Sequence, residues 1–142
     1  MKYLLDTNIV SELRKKKPDI GVIEWMKKAN STDLYLSCIT IAELKVGALK
    51  KAKTDKVAGN SLFKWIENLV EAYREQMILV DLGTCEKWAE FLNIDGTNAV
   101  DSLLLAQAAA NNLVLVTRNT KHFKMFGINY LNPFKGEDKN IK

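Results

Sequence analysis

Histidine occurs once in these 142 residues, as His122, and cysteine twice, as Cys38 and Cys85. The two cysteines are far apart, with no C-x-x-C pair, so a zinc centre of the usual nitrogen and sulfur ligands is excluded. They read as two buried thiols in a reducing compartment. No apolar run approaches the roughly 18 residues of a membrane span. Asp6 breaks the first apolar stretch almost at once, so the opening residues do not read as a signal peptide, and a cytoplasmic location without membrane contact is expected. Neither a G-x-G-x-x-G nor a phosphate-binding G-x-x-x-x-G-K-[ST] motif is present, which removes the common nucleotide-binding loops. No internal repeat or low-complexity linker divides the chain.

What remains is a mildly basic sequence of one-domain length, with formal net charge +4. That balance suits a polyanionic partner without requiring one. Short apolar runs alternate with longer amphipathic stretches. The strand candidates are Lys2–Asp6, Leu34–Ile39, Met77–Asp81, Leu113–Thr117 and Ile128–Leu131. Leu62, Ile66, Leu69, Val70 and Tyr73 fall on one helical face, and Trp88, Phe91 and Leu92 repeat the pattern. The stretch from Leu103 to Ala110 is apolar almost all round, as a helix sandwiched in a core would be. Gly59 and Asn60 mark a break in the long middle segment, giving a helical hairpin. Strands alternating with helices imply parallel strands joined by right-handed crossovers, an α/β fold with helices on both faces of the sheet. The domain is placed at residues 1–134, and 135–142 reads as a polar, frayed tail.

In such a fold every helix starts at the carboxyl edge of the sheet, where open α/β proteins place their ligands. Asp6 ends the first strand there. Glu43 follows the second strand, Asp101 heads the apolar helix, and Thr117-Arg118-Asn119 leaves the fourth strand. Each acid taken singly reads as a helix cap. Thr40 to Glu43 has the spacing of a capping box, Asn98 to Asp101 is similar, and the helix dipole favours acids in a first turn. Taken together they read differently, because carboxylates about 4 Å apart repel by about 4 kcal/mol per pair at an effective dielectric near 20. Such a cluster must protonate in part or hold a cation, and all-oxygen ligands point to Mg²⁺, with Mn²⁺ as substitute. A metal-activated water facing a phosphodiester is the natural match.

The stretches LLDTNIVSEL, SCITIAELKVGALK, VDSLLLAQAAANNLVLVTRN and KHF, in that order and spacing, resemble PIN-domain nucleases, specifically VapC-type toxins of bacterial toxin–antitoxin pairs. The similarity extends to Asn132-Pro133. The resemblance implies a three-layer fold around a five-stranded parallel sheet with the first and fourth strands adjacent. It also implies a Mg²⁺-dependent endoribonuclease, an RNA substrate, a homodimer and inhibition by a cognate antitoxin. Carried over by position, Asp6, Glu43 and Asp101 are the core acids and metal ligands. Asn119 stands where many relatives have a fourth acid, a departure that puts a second metal in doubt. Thr7, Asn8 and Thr117 support the site, and Arg118 is the RNA contact nearest the crevice. Glu12 and Ser11 are weaker candidates, as is His122 as a general acid. The lysines of Lys15–Lys17, with Lys45, Lys50, Lys51 and Lys53, read as solvated helix surface. Two rivals stay open. A haloacid-dehalogenase-like phosphatase also ends its first strand on an aspartate, although its usual second acid is replaced here by Asn8. The other is a non-catalytic PIN-like module that binds RNA or protein, motivated by Asn119.

Overall fold

A computed structural model describes residues 1–94, 98–120 and 126–136. His122, the approach to Asp101 through residues 95–97 and the tail beyond Gly136 lie outside the described residues. Five short parallel strands form one sheet: β1 (Tyr3–Leu5), β2 (Leu34–Ser37), β3 (Met77–Ile78), β4 (Val114–Val116) and β5 (Tyr130–Leu131). Their spatial order is β3-β2-β1-β4-β5. From β1 the chain first builds outward on one side, then returns to start β4 on the other. The reversal leaves a crevice at the carboxyl ends of β1 and β4, the adjacency implied by the family resemblance.

Strand alternation assigns the two faces. Leu4 and Leu115 point into a cluster with Phe91 of α5 (Leu82–Leu92) and Leu104, Leu105 and Ala108 of α6 (Ala99–Ala110). Leu5, Leu36 and Val116 point the other way, onto Ile9 and Val10 of α1 (Thr7–Arg14) and Val22 of α2 (Ile20–Lys28). Leu44 of α3 (Cys38–Thr54) and Trp65 and Leu69 of α4 (Lys56–Ala72) pack against that second cluster. The result is three layers with helices on both faces.

Several elements depart from the sequence reading. Cys38 and Ile39 extend the apolar run of β2, yet they begin α3, because the buried Ser37 hydroxyl accepts the Ile39 N–H at 3.0 Å and caps the helix. The same hydroxyl donates to Gln107 Oε1 of α6 at 2.5 Å, tying the two face layers through the sheet edge. The middle hairpin exists, but its break is at Asp55, which ends α3 and caps α4 through the Ala58 N–H at 3.0 Å. Gly59 sits inside α4, where a β-carbon would collide with Ala52 of α3. It is a close-approach residue and not a breaker. Leu92 is exposed, and Cys85 is exposed while Cys38 is half-buried, so the thiols are not two core groups. Among the described residues no helix is long and apolar enough to cross a membrane.

A carboxylate crevice at the β1–β4 switch point

Asp6 is the first residue beyond β1. Its backbone N–H donates to Val116 O of β4 at 2.9 Å, so the start of α1 is fixed to the neighbouring strand. Its side chain caps α1, with Oδ1 accepting the Thr7 N–H at 2.6 Å. The cap is therefore Asp6, which leaves the hydroxyl of Thr7 free for other work. Thr117, wholly buried at the end of β4, donates its hydroxyl to Asp6 Oδ2 at 2.7 Å. That oxygen also accepts from Asn8 Nδ2 at 3.3 Å.

Thr117 Oγ1 is fully used. It donates to Asp6 and accepts from Asn8 Nδ2 at 3.3 Å and from the Asn119 N–H at 3.1 Å. Asn8 Oδ1 in turn accepts the Arg118 N–H at 3.2 Å. One asparagine thus spans the crevice, holding the carboxylate on one side and the β4 exit turn on the other. Asn119 is exposed, on the same turn.

Glu43 reaches the site by a different route from the one its sequence spacing suggests. Because Ser37 caps α3, Thr40 is already helical and the Thr40–Glu43 pair is no capping box. Thr7 Oγ1 donates to Glu43 Oε1 at 2.8 Å and lies 3.1 Å from the buried Thr40 Oγ1. Sequence reasoning treated Thr40 only as a cap; its role as the inner partner of Thr7 went unseen. Asn98, in contrast, does cap its helix, accepting from Val100 N–H at 3.0 Å and Asp101 N–H at 3.1 Å. Asp101 is therefore in the first turn of α6, exposed. Trp88 Nε1 donates to Ser102 Oγ at 3.0 Å and Ala99 O at 3.2 Å, anchoring that turn to α5.

Electrostatics joins the three acids. Burial pushes the Asp6 carboxyl above its ordinary range; the Thr117 and Thr7 hydrogen bonds oppose this, and the charges of Glu43 and Asp101 add to the rise. The acids are near enough to disturb Asp6, but they do not close into a cage: among the described residues, no three His, Cys, Asp or Glu side chains are gathered to hold one ion. Glu12, a weaker site candidate from sequence, is engaged elsewhere. It is buried, pairs with Lys15 Nζ at 2.8 Å and accepts the Asp19 N–H at 2.8 Å. Burial works against its ionisation, but those donors prevail and hold it below the usual glutamate range.

Comparison with known proteins gives a consistent picture. The family model described as PIN domain matches residues 3–127. The chain is similar to VapC ribonuclease Y4jK of Sinorhizobium fredii, 30% identical over 93% of this chain and 97% of that one. It is 28% identical to Toxin FitB of Neisseria gonorrhoeae, over 92% of this chain and 97% of that one. The crystal structure of FitAcB from Neisseria gonorrhoeae superposes with a TM-score of 0.85 at 26% identity, covering 92% of this chain and 97% of that chain.

Proposed function

The chain belongs to the PIN domain family, and from that premise we propose that it is a metal-dependent endoribonuclease, the toxin of a toxin–antitoxin pair, neutralised by a cognate antitoxin. The observation that carries the reading is the half-buried Asp6 carboxylate at the β1–β4 switch point, made harder to ionise by burial and by Glu43 and Asp101. A protein stabilised only by caps has no reason to place like charges around a buried acid.

The donor set is carboxylate oxygen throughout, the hard chemistry that Mg²⁺ or Mn²⁺ takes. Mg²⁺ keeps several waters and is commonly held by one or two carboxylates, so an open trio fits it better than a closed cage would. Asp6 and Asp101 are the carboxylates that would hold it, with Glu43 joining directly or through one of its waters. When bound, the ion supplies charge neutralisation at the scissile phosphate and an acidified water.

The remaining work falls to the chain's own groups. Thr117 and Asn8 fix both the Asp6 carboxylate and the β4 exit turn, so the acid and Asn119 keep one spacing. Thr7 orients Glu43 from below. Arg118, leaving the same turn, is the contact for a backbone phosphate, which positions RNA without reading its sequence. Asn119 contributes a neutral carbonyl and no charge, consistent with a single ion. A second copy of the chain and the antitoxin complete the proposed assembly.

The test is incubation of the pure protein with transfer and ribosomal RNA in Mg²⁺, Mn²⁺ or EDTA, beside an Asp6→Asn control. Cleavage that needs the metal and Asp6 is the expected result. Binding without turnover in any metal would favour the non-catalytic module. Cleavage that Asp6→Asn leaves intact would reject the site assignment.

A further inference from the structure

The three acids are set in place by different means. Asp6 is held by Thr117 and Asn8, and Asp101 lies in a helix turn that Asn98 caps and Trp88 anchors. Glu43 lies past the first turn of α3, and its anchor is a side chain of another helix, Thr7 of α1. Thr7 is tied to two of the acids at once. Its backbone N–H donates to Asp6 Oδ1 at 2.6 Å, and its hydroxyl donates to Glu43 Oε1 at 2.8 Å. Behind it, 3.1 Å from the same hydroxyl oxygen, lies Thr40 Oγ1. The series runs from solvent to core: Glu43 is exposed, Thr7 half-buried and Thr40 wholly buried.

Counting hydrogens fixes the direction of this chain of contacts. A hydroxyl carries one hydrogen and can accept as well as donate, whereas an ionised carboxylate only accepts. Thr7 therefore cannot donate to Glu43 and to Thr40 together. The bond to the charged oxygen is the shorter and the stronger, so the Thr7 hydrogen goes to Glu43. Thr40 must then supply the hydrogen between the two threonines. Among the described residues, Thr7 supplies the one hydrogen bond to the Thr40 side chain, and a buried hydroxyl without a partner costs free energy. One order meets both demands: Thr40 to Thr7 to Glu43. Thr40 is available for it because Ser37 caps α3 in its place.

We propose that Thr40 is a positioning residue for Glu43: its buried hydroxyl commits the Thr7 hydrogen to Glu43 Oε1 and so sets the Glu43 carboxylate at a fixed place relative to Asp6. An exposed glutamate otherwise spreads over many rotamers, and ordering it costs free energy when a ligand binds. With Oε1 committed to Thr7, Oε2 is the atom left for a divalent cation or one of its waters. This inference rests on the ribonuclease reading above and deepens it by assigning a residue that hydrogen-bonds to none of the acids.

Calorimetric titration of the RNA-free protein with Mn²⁺ provides the test, beside cleavage of transfer RNA by the same preparations. Thr40→Val, which exchanges the hydroxyl for a methyl group, should weaken Mn²⁺ binding about tenfold, the lower end of what outer-shell partners contribute at metal sites. Thr40→Ser keeps the hydroxyl and should bind as the parent does; Thr40→Ala set against Thr40→Ser makes the same comparison without the added methyl. Glu43→Ala should cost at least as much as Thr40→Val, and combining the two should lower the affinity no further, the mark of one residue acting through the other. Thermal unfolding without metal reads the hydrogen order itself. Thr7→Val leaves the buried Thr40 hydroxyl without its partner and should lower Tm, and adding Thr40→Val should recover part of that loss. A Thr40→Val protein that binds Mn²⁺ as tightly as its parent, an equal loss of affinity in the Glu43→Ala background, or additive Tm losses in the double threonine variant would each overturn the inference alone. A parent protein that neither binds Mn²⁺ nor cuts RNA would overturn the ribonuclease reading first, and this with it.

Discussion

Asp6 and Asp19 occupy the same local position, the N-cap of a helix on the same face of the sheet, and titrate in opposite directions. Asp19 receives four backbone N–H groups near solvent, and although its partial burial resists ionisation, those donors hold its carboxyl below 3.8. Asp6 receives one backbone N–H and two side-chain donors, yet burial and two neighbouring acids push it above the same value. The number of hydrogen bonds therefore does not separate a structural cap from a candidate ligand. Desolvation combined with like charge does. One aspartate is where the fold stores stability; at the other it accepts a cost that a cation would relieve.

The largest effect that sharpens this contrast is chemical. Asp6→Asn should reduce metal-dependent RNA cleavage by at least about a thousandfold, since lost stabilisation of transition-state charge amounts to several kcal/mol. Circular dichroism should show the fold unchanged, because asparagine caps a helix as well as aspartate does. Residual cleavage within tenfold of the parent would put the two caps back on equal footing. Next comes metal-linked stability. Mg²⁺ at about a hundred times its dissociation constant should raise unfolding stability by about 2.7 kcal/mol in the parent. Differential scanning should record no such gain in Asp6→Asn and the full gain in Asp19→Asn.

Asp19→Ala should lower stability by about 1–2 kcal/mol through the lost α2 cap and the lost acceptor for the Lys135 and Gly136 N–H groups, read by urea unfolding. Its kcat should be untouched; a fall in kcat would mean that the two regions are one unit. The smallest effect is in the pH dependence, measured in EDTA. A raised folded-state carboxyl binds protons more readily than the unfolded chain, so Asp6 should make stability decline as pH rises from 3.8 through its elevated value. Asp19 has the opposite sign: its contribution is complete above 3.8 and is lost as pH falls through its depressed value. Asp6→Asn should flatten the first limb and Asp19→Asn the second.

Much of this was legible in the residues. Apolar runs of the right length located all five strands, and an aspartate closing the first of them pointed to the carboxyl edge. That β1 and β4 are neighbours came from the family resemblance, since strand order is not written in periodicity. Helix starts were harder. Cys38 and Ile39 continue an apolar pattern that suits a buried strand, and only the Ser37 hydroxyl, already bound to Gln107, ends it there. Gly59 looked like a breaker because sequence shows glycine's flexibility and not the neighbouring helix that needs its missing side chain. Glu12 could be read only as a weaker candidate because its Asp19 N–H partner is brought to it only once α2 folds back on α1. The contact of the buried Thr40 with Thr7 depends on tertiary approach and had no linear signal.

The hydrogen bonds that bind Thr117 and Asn8 to Asp6 link positions separated by as many as 111 residues. A ribosome making this chain releases Asp6 early, but Thr117, which completes its surroundings, follows 111 residues later. Fragments stopped before Val114 contain all three acids without the strand that orients Asp6. Such fragments should therefore lack the fixed Asp6 geometry that the complete β1–β4 pair provides.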